Sequence, residues 1–156
     1  MYTSSFGITH APLGKNISQL WDNGQITQLN QKFQWLLQTP GIGLLTAEPG
    51  LGKTAALRQI TASLNPHQYQ LVYIAETDFG RLDFYRHLAF KFGLTPSFRR
   101  AQIWREIKDY VIHITTQKNT MPVVIIDEAQ NLPNNFFRDL PSFLNFVFDS
   151  KDYMTL

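Results

Sequence analysis

Ala47-Glu48-Pro49-Gly50-Leu51-Gly52-Lys53-Thr54 is the stretch whose reading decides the fold. It fits the spacing G-x-x-x-x-G-K-[ST], with Ala in place of the first Gly. The run before it, Gly41–Thr46, is apolar and of the buried-strand kind. The segment after it, Ala55–Leu64, reads as a helix ended by Asn65-Pro66. Each residue type has its own use in such a turn. Gly50 and Gly52 give the backbone positive φ and let it approach phosphates with no Cβ in the way. Successive N–H groups then face inward as an anion nest, and the new helix adds the positive end of its dipole. The cradle is expected to run through Ala47, Glu48, Pro49, Gly50, Leu51, Gly52, Lys53, Thr54 and Ala55. Lys53 supplies a mobile charge for the β- and γ-phosphates. The Thr54 hydroxyl is a hard oxygen donor for Mg²⁺. The competing reading is a plain strand–turn–helix connection with an incidental Gly-Lys-Thr, which Ala47 slightly favours.

A second motif tips the balance toward phosphate binding. Val123-Val124-Ile125-Ile126-Asp127-Glu128 is an apolar run ending in two carboxylates, about seventy residues after the turn. A buried parallel strand exposes its polar groups at the C-terminal edge, where ligands bind. Asp127 there is placed to hold Mg²⁺, mostly through water. Glu128 is placed to polarise an attacking water as a base.

Working outward, residues 1–24 look irregular, with Gly7, Pro12 and Gly14 as punctuation. Ile26, Leu29, Phe33, Leu36 and Leu37 recur at helical spacing before Pro40. Tyr69–Ala75 reads as a strand. Arg81–Phe92 reads as a helix with Gly93 as its C-cap. Arg100–Thr116 is another helix, Pro122–Ile126 a strand, and Pro133–Asp149 a last helix interrupted or kinked at Pro141. Alternating strands and helices predict an α/β fold with a parallel sheet flanked by helices.

These residues resemble the P-loop NTPases, in which Ala is a known alternative at the first motif position. A Glu directly after the metal-binding Asp is similar to the additional-strand, catalytic-glutamate class, which includes the AAA+ proteins. The resemblance implies bound ATP with Mg²⁺ and favours hydrolysis over phosphoryl transfer to a metabolite. Asp127-Glu128-Ala129-Gln130-Asn131-Leu132 resembles the Asp-Glu-Ala-Gln/His stretch of ExeA-like ATPases. The opening Tyr2…Phe6-Gly7-Ile8…Ala11-Pro12-Leu13 is similar to their N-terminal signature, with Leu13 in place of Phe. The same branch holds the TniB-like and IstB-like ATPases of transposons. By this resemblance Phe6 to Leu13 lines the adenine, or else Phe6 and Ile8 merely anchor the N-terminus. Thr77 is the candidate γ-phosphate sensor, with a helix-cap role for Thr77 or Asp78 the alternative.

In that class an extra strand lies between the P-loop strand and the Asp-Glu strand, and its tip carries the residue called sensor 1. Asp152-Tyr153-Met154-Thr155-Leu156 looks like its beginning, starting near Met154. Residues 1–156 are therefore expected to be a P-loop ATPase core truncated before the sensor-1 strand, without the later arginine finger and lid. Such a piece is expected to keep nucleotide binding and to hydrolyse slowly at best.

Composition narrows the function less. Fourteen Lys and Arg against twelve Asp and Glu leave +2, below the excess usual for a nucleic-acid protein. Hydrophobic residues make up 44% and charged residues 17%, an ordinary globular balance that argues against bulk disorder. The chain has no Cys, which excludes disulfides and thiolate zinc sites. Met1–Phe6 has no basic n-region leading into an apolar run, and no window approaches ~20 apolar residues, so a cytoplasmic location is expected with no membrane segment. His10, His67, His87 and His113 show no metal-ligand spacing. Phe136, Phe137, Phe143, Phe146 and Phe148 read as core first and interaction surface second. Arg99, Arg100, Arg105 and Lys108 fit either DNA phosphates or a solvated helix face, and Glu106 and Asp109 dilute them. Three readings thus stay open: an oligomerising ATPase that acts on DNA with a transposase, an ExeA-like secretion ATPase, and a nucleotide-gated module with little turnover.

Overall fold

The structure, a computed structural model, describes residues 22, 24–78, 80–146 and 152–156. Helix α1, Gln25–Gln38, stops short of Pro40 as its spacing predicts. Its first turn is closed by the Asp22 carboxylate, which accepts from the Ile26 N–H at 2.9 Å, the Thr27 N–H at 3.1 Å and the Thr27 hydroxyl at 2.6 Å. Helix α2 covers Lys53–Ala62. It begins two residues earlier than its apolar pattern suggests, because Gly52 at φ 77° closes the turn and leaves Lys53 and Thr54 in the first helical turn.

Strands β1, Tyr69–Ile74, and β2, Met121–Ile126, pair in parallel from Tyr69↔Met121 to Ile74↔Ile126. Helices α3, Arg81–Lys91, and α4, Arg100–Gln117, cross over between them, as parallel pairing requires. Gly93 follows α3 in the left-handed region, φ 81°, the backbone a helix-ending glycine supplies. Helix α5, Asn134–Leu144, runs through Pro141 with Pro133 as its N-cap, so the expected interruption is absent. The rest of that predicted helix, up to Asp149, ends by Asn145 or lies outside the described residues.

Side chains alternate across the strands and so divide the core. Val72, Ile74 and Val124 face Phe84, Leu88, Ile103 and Ile107 on α3 and α4, with Phe136 and Phe143 from α5. Val123 points the other way, to Phe33, Leu37 and Ile60 on α1 and α2. The sheet is therefore flanked by helices on both faces. Of the predicted phenylalanine group, Phe136, Phe143 and Phe146 are buried and Phe137 is exposed, while Phe148 lies outside the described residues.

One predicted strand does not form as such. Gly41–Thr46 takes no ladder position in the sheet. The physical reason is its partner. The Gly43 N–H donates to the Leu156 carbonyl at 2.8 Å, and the Leu156 N–H donates to the Gly41 carbonyl at 2.9 Å. Leu44, 86% exposed, lies beyond this pairing. A strand is defined by its neighbour, and an apolar run alone does not create one. Thr155 in turn forms a parallel bridge with Val123. Its N–H donates to the Pro122 carbonyl at 3.0 Å and its carbonyl accepts from the Val124 N–H at 2.9 Å. The segment expected to begin near Met154 thus lies between Gly41–Gly43 and β2.

Candidate functional site

The glycine-rich turn is built on two left-handed residues, Gly50 at φ 84° and Gly52 at φ 77°. A Cβ at either would meet no atom within 4 Å, so backbone conformation, not crowding, is what calls for glycine. The first bond of α2 runs from the Ala56 N–H to the Gly52 carbonyl at 2.9 Å. The preceding N–H groups, those of Lys53, Thr54 and Ala55, have no acceptor one helical turn earlier and project from the helix start. The Lys53 ammonium folds over the turn and donates to the carbonyls of Ala47 at 2.8 Å and Glu48 at 3.2 Å.

The two motifs meet across the sheet edge. The Thr54 hydroxyl donates to Asp127 Oδ2 at 2.8 Å, and the Tyr73 hydroxyl donates to the same oxygen at 2.6 Å. Asp127 Oδ1 accepts from the Glu128 N–H at 3.0 Å. The Asp127 N–H donates to the Ile74 carbonyl at 2.8 Å, which prolongs the β1–β2 ladder by one bond. Partial burial pushes the Asp127 carboxyl up, but the donors from Tyr73, Thr54 and Glu128 and the charge of Lys53 outweigh it and hold the group below the usual carboxylate range. Burial and the neighbouring carboxylate push the Tyr73 phenol up to about 12.

Glu128 follows in the left-handed region, φ 51° and ψ 38°, an uncommon place for a side chain with a Cβ. Its carbonyl accepts from the Thr77 hydroxyl at 3.0 Å, and its carboxylate accepts from Gln130 Nε2. Thr77 is only 2% exposed and caps no helix: the N-cap of α3 is Gly80, without a side-chain cap. The Thr77 hydroxyl proton thus goes to the Glu128 carbonyl and not to the start of α3. A cleft of about 2000 Å³ opens over this edge, lined by Lys53, Thr54, Asp127 and Glu128 and by apolar groups such as Leu36 and Leu140.

Most of the predicted residues fall into one neighbourhood: Ala47, Pro49, Gly50, Gly52, Lys53, Thr54, Ala55, Asp127 and Glu128 line the same cleft, while Glu48 and Leu51 do not line it. The adenine stretch Phe6 to Leu13 and His10 lie outside the described residues. The basic stretch divides. Arg100 pairs with Asp139 at 2.7 Å and lies 5.0 Å over the Trp104 ring. Lys108 donates to the carbonyls of Ser142 and Asn145, each at 2.8 Å, at the end of α5. Arg99 and Arg105 stay exposed. Tyr73 and Gln130 were missed by sequence reasoning. An aromatic residue in a strand signals β-propensity, and only the strand register tells where its hydroxyl ends.

The donor set suits a hard divalent cation. Two oxygen ligands from separate elements converge within 2.8 Å of each other, one of them an ionised carboxylate. Among the described residues no group of three or more His, Cys, Asp or Glu side chains gathers into an all-protein metal cage. Mg²⁺ does not require one, since it keeps several waters and shares phosphate oxygens. Residues Thr54 and Asp127 could therefore hold Mg²⁺, beside a turn that could hold the phosphates.

A family model described as AAA domain matches residues 36–155. The chain belongs to the AAA domain family. The match takes in the turn, the Asp-Glu motif and the bridge at Thr155, and AAA domains are P-loop ATPases that bind ATP with Mg²⁺. The chain matches no curated protein. Among the described residues of this AAA domain, no helix is long and apolar enough to cross a membrane.

Proposed function

We propose that this AAA domain binds Mg²⁺·ATP in the cleft over Gly50–Thr54 and hydrolyses it, as a helper ATPase that acts on DNA together with a transposase. The 2.8 Å contact between Thr54 and Asp127 carries the reading, because it joins the two halves of a metal–phosphate site that lie far apart in the chain. In this reading the stretch Ala47 to Ala55 wraps the phosphate oxygens, and its N–H groups, which Pro49 lacks, donate to them. Lys53 exchanges its carbonyl partners for β- and γ-phosphate oxygens, which accept stronger, charge-assisted bonds. Thr54 and Asp127 hold Mg²⁺, which when bound neutralises charge on the β- and γ-phosphates. Glu128 takes a proton from water as the water oxygen bonds to the γ-phosphorus and the bond to the β–γ bridging oxygen breaks. ADP and inorganic phosphate are the products. Thr77 and Gln130 hold Glu128 at its carbonyl and its carboxylate.

Saturating Mg²⁺·ATP is expected to raise the melting temperature of the protein. Ligand at a hundred times its Kd adds about 2.7 kcal/mol to stability. An unmoved melting curve at millimolar Mg²⁺·ATP sinks the reading.

The DNA role is supported by the resemblance to transposon ATPases and by the exposure of Arg99 and Arg105. It predicts ATP-dependent retention on DNA that weakens steeply as salt rises, since phosphate contacts release counterions. Equal retention with and without ATP counts against it. The second reading, a nucleotide-gated module with little turnover, draws on the Gln130 amide that engages the Glu128 carboxylate. An ExeA-like secretion ATPase shares the same site chemistry and differs in showing no DNA retention.

A further inference from the structure

The strand register brings a phenol onto the carboxylate that the proposed function assigns to the metal. Tyr73 pairs with Ile125 across the parallel ladder, so its side chain shares a face with Ile125 and, one alternation on, with Asp127. Two residues along a strand span ~6.6 Å, about the reach of a tyrosine from Cα to hydroxyl. The Tyr73 ring therefore lies along the strand and ends at Asp127 Oδ2, 2.6 Å away.

That oxygen is shared. Thr54 donates to it as well, at 2.8 Å, while Oδ1 is taken by the Glu128 N–H at 3.0 Å. A threonine hydroxyl has one proton, and to ligate a cation it must turn a lone pair toward that cation. That leaves its proton free to stay on Oδ2, where Tyr73 is the second side-chain donor and the one that ligates nothing. With the main-chain bond on Oδ1 and the phenol on Oδ2, the plane of the carboxylate is fixed at both oxygens. We propose that Tyr73 is a positioning residue for the metal: it orients Asp127 for the cation without touching nucleotide or metal itself. The inference rests on the assignment of Asp127 to Mg²⁺ and adds the residue that sets how strongly that carboxylate binds.

The test measures nucleotide affinity as a function of free Mg²⁺, with ADP as the probe and EDTA for the metal-free limit, in the wild type, Tyr73→Phe and Asp127→Ala. Outer partners of metal ligands typically set 10- to 100-fold in metal affinity, and the partial exposure of Tyr73 favours the low end. Tyr73→Phe is expected to raise the Mg²⁺ concentration for half-maximal tightening by about 10-fold, with ADP affinity in EDTA unchanged. Asp127→Ala is expected to remove the Mg²⁺ dependence. An unchanged Mg²⁺ midpoint in Tyr73→Phe, beside a lost one in Asp127→Ala, overturns the role of Tyr73 and leaves the metal assignment standing. A Tyr73→Phe variant that weakens ADP equally with Mg²⁺ and with EDTA shows a merely structural tyrosine and also overturns it. Wild-type Mg²⁺ dependence in Asp127→Ala removes the metal assignment and the proposal together.

Discussion

Lys53→Ala will lower ATP affinity by about three orders of magnitude, into the range where binding is no longer measurable at ordinary concentrations. The size follows from the charge removed. A unit charge about 4 Å from another interacts by about 4 kcal/mol at the effective dielectric of a protein surface, and every 1.4 kcal/mol is tenfold. The triphosphate carries several such charges, and the turn's neutral N–H groups do not replace the ammonium. The fold should survive, because among the described residues the Lys53 ammonium donates to two carbonyls of an exposed turn. Surface substitutions of that kind stay within about 0.5 kcal/mol. Equilibrium titration with ATP and a denaturation curve on the same preparation separate binding from folding. Wild-type affinity in Lys53→Ala overturns the site.

Glu128→Gln is expected to leave ATP binding within a few-fold and to cut phosphate release by about 10²- to 10⁴-fold, the usual contribution of a positioned base. Glutamine keeps the length of the side chain and removes its basicity. It also keeps the backbone demand of the left-handed position, since neither residue is β-branched. Steady-state phosphate release at saturating Mg²⁺·ATP is the measurement. Equal rates in wild type and variant take the base role from Glu128 and favour the nucleotide-gated module. The two substitutions therefore part cleanly, one acting on affinity and the other on turnover.

What could be seen in the sequence was what is local. The turn announces itself through Gly50, Gly52 and Lys53, because each residue type answers a demand of its own backbone or charge. β1 and β2 were legible from apolar runs, and α1, α3 and α4 from their spacing. Gly41–Thr46 has the same composition as a buried strand, yet strand status needs a neighbour at bonding distance, and its own text does not contain one. The same holds for side chains whose partners arrive late. Arg100 and Lys108 looked available for an anion until α5 brought Asp139 and the carbonyls of Ser142 and Asn145 against them. Tyr73 read as a strand former, and its bond to Asp127 depends on a register that two separate strands set together. The expectation for Phe6 to Leu13 falls on residues outside those described.

The bent-over ammonium of Lys53 has a thermodynamic consequence. Its long side chain already spans the turn, so much of the rotamer freedom that an ordered lysine gives up, up to about 2 kcal/mol, is surrendered in the fold itself. An incoming anion need not freeze a waving chain; it exchanges places with two amide oxygens. Preorganisation of this sort lowers the ordering cost of association, and calorimetry should find the entropic penalty small for the terminal phosphate.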